Sequence, residues 1–136
     1  MPRVFAGRVV IPGDRILEYA KFMEEVERAR EPFVRMTRQA LNEFVAYLET
    51  EKGLSRATVR RHAMVIEMFN EFLARYTDVQ GYSEVTRGIA NTHFKAWYRR
   101  KVWGGPPLDQ VRVSVHKFFR FLADRKGVVN EKVLGK

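Results

Sequence analysis

The sequence predicts an all-α fold, a compact bundle of four to five helices, on three observations. Apolar residues recur at three- and four-residue spacing through most of the 136 residues. Strong breakers, among them Pro12-Gly13, Gly53, Gly81 and Gly104-Gly105-Pro106-Pro107, cut that pattern into helix-length pieces. Strand-like alternation is confined to the stretch before Pro12. With 46% hydrophobic and 12% aromatic residues, disorder is excluded, and a domain of this size buries roughly two-thirds of its unfolded surface.

Taken in order, Val4, Ala6, Val9 and Ile11 alternate and stop at Pro12-Gly13, which reads as an extended arm or short strand. Asp14 caps a first helix over about 15–30, with Ile16, Leu17, Ala20, Met23 and Val26 on one face. Pro32 is expected to break it, because the residue before a proline is biased away from helical geometry. A second helix over about 33–51 carries Phe33, Met36, Ala40, Leu41, Phe44, Val45 and Leu48, and Gly53 stops it. Ser55 is the N-cap of a third helix reaching Tyr76, with Val59, Ala63, Ile66, Phe69, Leu73 and Tyr76 inward.

Residues 77–90 read as a loop. A fourth helix spans about 91–103, with Thr86 as an earlier possible start, and a last helix runs over 108–126 to Gly127. Val111, Val115, Phe118, Phe119 and Leu122 line its inner face. Residues 1–31 are thus an N-terminal arm and accessory acidic helix, 32–128 the helical core, and 129–136 the start of a linker. The phenylalanines at 44, 69, 72, 94, 118, 119 and 121, with Trp97, keep helical spacing and belong to the core. Trp103 is the aromatic expected at the surface.

Charge sets the functional expectation. The chain carries 25 Lys and Arg against 16 Asp and Glu, a net +9. The excess is uneven: residues 14–31 hold six acidic and four basic side chains, and residues 52–126 hold fifteen basic and six acidic. So basic a half-chain implies a polyanionic partner, most often nucleic acid. Without cysteine, disulfide frameworks, thiolate metal sites and Cys nucleophiles are excluded. No run approaches the ~18 apolar residues of a membrane span and no apolar signal core opens the chain, so the expectation is a cytoplasmic protein without a membrane partner. His62, His93 and His116 fall on three different helices without metal-ligand spacing, and no HExxH, P-loop or dinucleotide motif occurs. No catalytic residue, metal or cofactor is expected.

Basic ridges are the stronger signal. Arg56 and Arg60 stand at i, i+4 on the third helix with Arg61 beside them, opposite its apolar stripe. Arg112, His116, Lys117 and Arg120 form one ridge on the last helix, and Lys95, Arg99, Arg100 and Lys101 cluster on the fourth. Rigid helices hold cations at the spacing phosphate oxygens require. Any one ridge is equally explained as a solvated face; three in one basic half favour a polyanion. His62 lies beside an apolar stripe and reads as a core histidine.

The segments LNEFVAYLETEKGLSRATVRRHAMVIEMFNEFL (41–73) and SVHKFFRFLADRKGVVNEKV (114–133), with Val85-Thr86 between them, carry a family resemblance. Leu41, Phe44, Leu48, Lys52-Gly53-Leu54-Ser55, Thr58, Phe69, Phe118-Phe119, Phe121-Leu122 and Asn130 are its markers. From about Arg38 to Asn130 the chain resembles the N-terminal core-binding domain of tyrosine recombinases, the SAM-like domain of phage integrases. The resemblance implies an orthogonal four-helix bundle that forms half of a C-shaped clamp around duplex DNA. It places the helix after the KGLS turn and the last helix against DNA. That points to Ser55, Arg56, Thr58, Arg60 and Arg61, and then to Arg112, His116, Lys117 and Arg120. Arg112 and Lys117 are the candidates for guanine edges in the major groove.

In that family the catalytic residues reside in a second, C-terminal domain, for which no residues follow Lys136. The expectation is therefore a DNA-binding module of a site-specific recombinase that does not itself cleave or rejoin DNA. It is either an excised piece of a longer recombinase or a stand-alone domain, and an end near an interdomain linker favours excision. The rival expectation is a protein-interaction bundle for recombinase or partner assembly, with the arm and acidic helix as the contact. Self-assembly on DNA is compatible with both.

Overall fold

The computed structural model describes residues 2–5 and 12–135, all helical apart from turns, connections and one isolated bridge. The expected arm residues Ala6, Val9 and Ile11 lie outside them. Residues 2–5 run antiparallel to the segment after Tyr76. Val4 bridges Thr77, the Phe5 N–H donates to the Tyr76 carbonyl (2.6 Å), and the Asp78 N–H donates to the Arg3 carbonyl (3.2 Å).

Helix α1 (Ile16–Thr50) is continuous, with Pro32 inside it. The expected break at Pro32 is not there, and the reason is tertiary. Proline in a helix interior lacks an N–H and crowds the carbonyl of the preceding turn, at about 3 kcal/mol. On either side of it the helix is fastened to the rest of the molecule. The Arg30 guanidinium donates to the carbonyls of Leu73 (3.0 Å), Ala74 (3.1 Å) and Val79 (2.6 Å) and lies 4.3 Å from the centre of the Phe33 ring. Phe33 is itself buried. Local preference yields to this joint.

From Phe33 onward α1 buries Phe33, Thr37, Ala40, Phe44 and Leu48, one side chain every turn. Before Arg30 it buries nothing: Ile16, Leu17 and Phe22 are exposed, Leu17 at 78%. The expected apolar stripe of this half therefore exists but is largely uncovered.

Helix α2 (Arg56–Tyr76) begins at the expected cap, Ser55, whose Oγ accepts the Thr58 N–H. It packs along α1 and buries Val59, His62, Val65, Ile66, Phe69, Phe72 and Leu73. A π-helical turn (Gly88–His93) leads into α3 (Phe94–Lys101), a wider start than the regular helix expected over 91–103. Thr86 caps it by accepting the Ile89 N–H (3.1 Å). Residues five apart fall on different faces of an α-helix, and the wide turn lets both Ile89 and Phe94 reach the core. Regular helix ends at Lys101, and Trp103 beyond it is 89% exposed, as expected.

The α3–α4 turn is tight. A Cβ on Gly105 stands 2.6 Å from the Tyr98 Oη, which donates to the Pro106 carbonyl (2.8 Å). Helix α4 (Leu108–Lys126) then runs to Gly127 in the left-handed region (φ 67°), as expected. The residues after it, expected to open a linker, carry a short helix α5 (Glu131–Leu134) docked by its cap. Asn130 accepts the Val133 N–H and donates to the carbonyls of Tyr82 and Val85, both at 2.8 Å.

Every phenylalanine assigned to the core is buried, as is Trp97, while Tyr76 at the end of the α2 stripe is half-buried. Phe44 meets Phe118 edge-on (5.2 Å between centroids), Phe69 meets Phe94 (5.0 Å), and Tyr82 meets Phe118 (5.1 Å). At its C-terminal end α1 is tied to α4 by Glu51–Arg125 and Glu43–Lys126 ion pairs.

Candidate nucleic-acid interface

Helices α2 and α4, which carry the two principal basic ridges, are joined in the core by a hydrogen bond. His62 Nδ1 and Ser114 Oγ lie 2.7 Å apart, and both residues are buried. Burial lowers the His62 pKa below its ordinary value, and the nearby charges of Lys117 and Arg61 lower it further. Burial and one cation from each ridge thus favour the uncharged imidazole. The hydrogen bond also locates the ridges: Arg61 is the neighbour of His62 on α2 and Lys117 stands one turn after Ser114 on α4, so the two basic faces adjoin.

At the start of α2 the capping chemistry organises the surface. Ser55 Oγ accepts the Thr58 N–H (3.2 Å) and donates to Thr58 Oγ1 (2.9 Å); Arg61 Nη2 donates to the same Thr58 oxygen (3.2 Å). Ser55 and Thr58 therefore build the cap and steady Arg61. Arg56 and Arg60 are exposed, one turn apart. Two like charges at i, i+4 weaken a helix slightly, and among the described residues no acidic side chain forms an ion pair with either.

On α4, Arg112, Lys117 and Arg120 are exposed and His116 is half-buried. Ion pairs among the described residues involve Arg35, Arg75, Arg125 and Lys126. None uses Arg56, Arg60, Arg61, Arg112, Lys117 or Arg120.

Arg112 and His116 also form one wall of a cavity of about 300 Å³, whose other walls include Arg87, Asn91 and α5. Arg87 and Asn91 were not among the expected site residues, because Arg87 fell in the 77–90 loop and Asn91 stood alone at the start of the fourth helix. The Thr86 start would have placed them one helical turn apart on a single face, and that was the available signal.

The third expected ridge lies elsewhere. Lys95 is half-buried, and Arg99 is exposed in a wide groove between α1, α2 and α3 that also holds Glu24, Glu27, Trp97 and Trp103. The structure brings Arg112 and His116 together with Arg87 and Asn91; Arg99 belongs to a different, mixed-charge depression.

Among the described residues no helix is long and apolar enough to cross a membrane, and no cluster of His, Asp or Glu could hold a metal ion. No curated protein and no solved structure gives a significant match to the chain. A family model does: residues 41–126, from the packed half of α1 to the last residue of α4, match the phage integrase N-terminal SAM-like domain. That span is more than half of the sequence and contains both joined helices, and on it the chain belongs to the family of phage integrase N-terminal SAM-like domains.

Proposed function

We propose that this chain is a duplex-DNA-binding module of a tyrosine-type recombinase, and that the adjoining outer faces of α2 and α4 grip the DNA backbone. The observation that carries the reading is the set of exposed cations that, among the described residues, have no acidic partner, on two helices joined side by side through His62 and Ser114. Surface arginines left over by a protein's own salt bridges are available to phosphates. Membership in the integrase family supports the same partner.

In this reading Arg56, Arg60, Arg61, Arg112, Lys117 and Arg120 meet phosphates, while Ser55 and Thr58 hold the cap that aims Arg61. Arg112 and Lys117 are also long enough to reach guanine O6 and N7. Lys95 and Arg99 add to the field without joining the grip. Residues 32–128 are the DNA-binding bundle, and residues 1–31 an accessory element continuous with it. Cutting and rejoining the strands is assigned to residues outside this bundle.

Fluorescence anisotropy with a ~25-bp duplex at several salt concentrations tests the reading, with an expected log–log slope of about −4 to −5 for about five phosphate contacts. Arg60→Glu and Arg112→Glu should each weaken binding at least several-fold with unchanged helical circular dichroism. Equal affinity in both variants removes the α2–α4 face from consideration.

A second reading has its own observation. The uncovered Ile16, Leu17 and Phe22 on α1 favour a surface for a partner subunit. Sedimentation of the DNA-free protein at rising concentration tests it: an increasing mass supports assembly, and a constant monomer mass removes it.

A further inference from the structure

Two pairs of side chains, each one helical turn apart, confront one another across the cavity between the π-helical turn and α4: Arg87 with Asn91, and Arg112 with His116. We propose that this cavity is a discrete binding site for one phosphate group, and that in the DNA-bound protein a backbone phosphodiester fills it. The proposal rests on the duplex-binding reading and adds to it a specific seat with two residues, Arg87 and Asn91, that the basic ridges do not include.

Charge is the first reason. Two guanidinium groups are always protonated, and none of the described residues lining the cavity is acidic. Neither Arg87 nor Arg112 makes an ion pair among the described residues. Cations gathered around a hollow without a counter-charge are mutually repulsive, and an anion placed between them removes the repulsion.

Geometry is the second. The Arg87 Nε donates to the Lys132 carbonyl (3.0 Å), which fixes the plane of the guanidinium and leaves its terminal amino groups without a partner among the described residues. A forked donor held this way suits phosphate oxygens, and its ordering cost is met before the ligand arrives. Asn91 supplies amide N–H donors, and His116 supplies a ring N–H in either tautomer.

The floor is the third. Val115 and Val133 are buried at the base of the cavity, so charges above them face less water on one side and act more strongly. Helix α5 thereby has a role: its carbonyl orients Arg87 and its valine closes the floor.

The test uses the full chain with two separate probes, inorganic phosphate and a ~25-bp duplex. The side-chain 15N signals of Asn91 and His116 should shift on addition of duplex. Asn91→Asp, which leaves the Arg87–Lys132 link alone, should weaken duplex binding about tenfold, and Arg87→Gln should reduce the magnitude of the salt slope by about 1. Should both variants match the parent in affinity and slope, with the two signals unmoved, the cavity is overturned and the α2–α4 grip stands. Should the parent bind no duplex while Asn91 and His116 respond to inorganic phosphate, the ligand is a free phosphate. The backbone assignment then falls together with the reading on which it rests.

Discussion

The two halves of α1 are one unbroken helix with opposite surroundings. From Phe33 to Thr50 it buries a side chain at every turn, and its last turns are tied to α4 through Glu43 and Glu51. From Ile16 to Ala29 no side chain is buried, although the apolar spacing is as regular. Amphipathic period therefore reports that a helix forms and which face is apolar; it does not report that the face is covered. What separates the halves is the joint at Arg30, where three main-chain carbonyls hold one guanidinium.

The largest effect expected from this contrast is in the packed half. Phe44→Ala should cost about 3–5 kcal/mol by emptying a fully enclosed ring site, whereas Leu17→Ala should stay within about 0.5 kcal/mol. Urea unfolding of both variants makes the comparison, and comparable losses would mean that the projecting half is packed after all.

The joint comes next. Arg30→Met keeps the stem over Phe33 and removes the donors, leaving three carbonyls to find water; the expected loss is about 2 kcal/mol. Burial lowers the Arg30 pKa, and Asp78 and Glu84 work against that shift. Hydrogen exchange should show the projecting half of α1 loosening first in this variant.

The smallest effect lies in the packed region's one buried histidine. His62 is disfavoured as a cation in the folded chain by burial first and by Lys117 and Arg61 second. Its unfolded form takes up a proton near pH 6.5 while the folded form resists. Its stabilising contribution is therefore complete above about pH 6.5 and declines as pH falls toward the lowered folded value. Thermal melts at roughly pH 7.5 and 5.5 should show a smaller drop for His62→Gln, which can keep a bond to Ser114, than for the parent. The projecting half of α1, remote from this seam, should be indifferent.

Much of this was legible in the amino-acid order, and the exceptions share a cause. Helices α2 and α4 were readable to within a residue because their ends are written locally, in the Ser55 cap and in Gly127. The basic ridges were readable because helical phase alone puts Arg56, Arg60, Arg112, Lys117 and Arg120 opposite the apolar stripes. Continuity through Pro32 was not, since it depends on Arg30 reaching carbonyls more than forty positions away. Docking of α5 was hidden in the same way, because Asn130 binds the carbonyls of Tyr82 and Val85. Arg87 escaped notice because 77–90 read as a loop, which left Asn91 at the start of the fourth helix without the partner one turn before it.

The Arg30 socket has a consequence for how this region can vary. Its acceptors are peptide oxygens, which every amino acid carries, so the socket itself is indifferent to which side chains occupy positions 73, 74 and 79. The arginine has no such latitude: a lysine presents one compact ammonium and cannot fork toward three acceptors at once. Substitutions can accumulate on one side of this joint and not on the other, which makes it a contact that correlated changes between positions would never reveal.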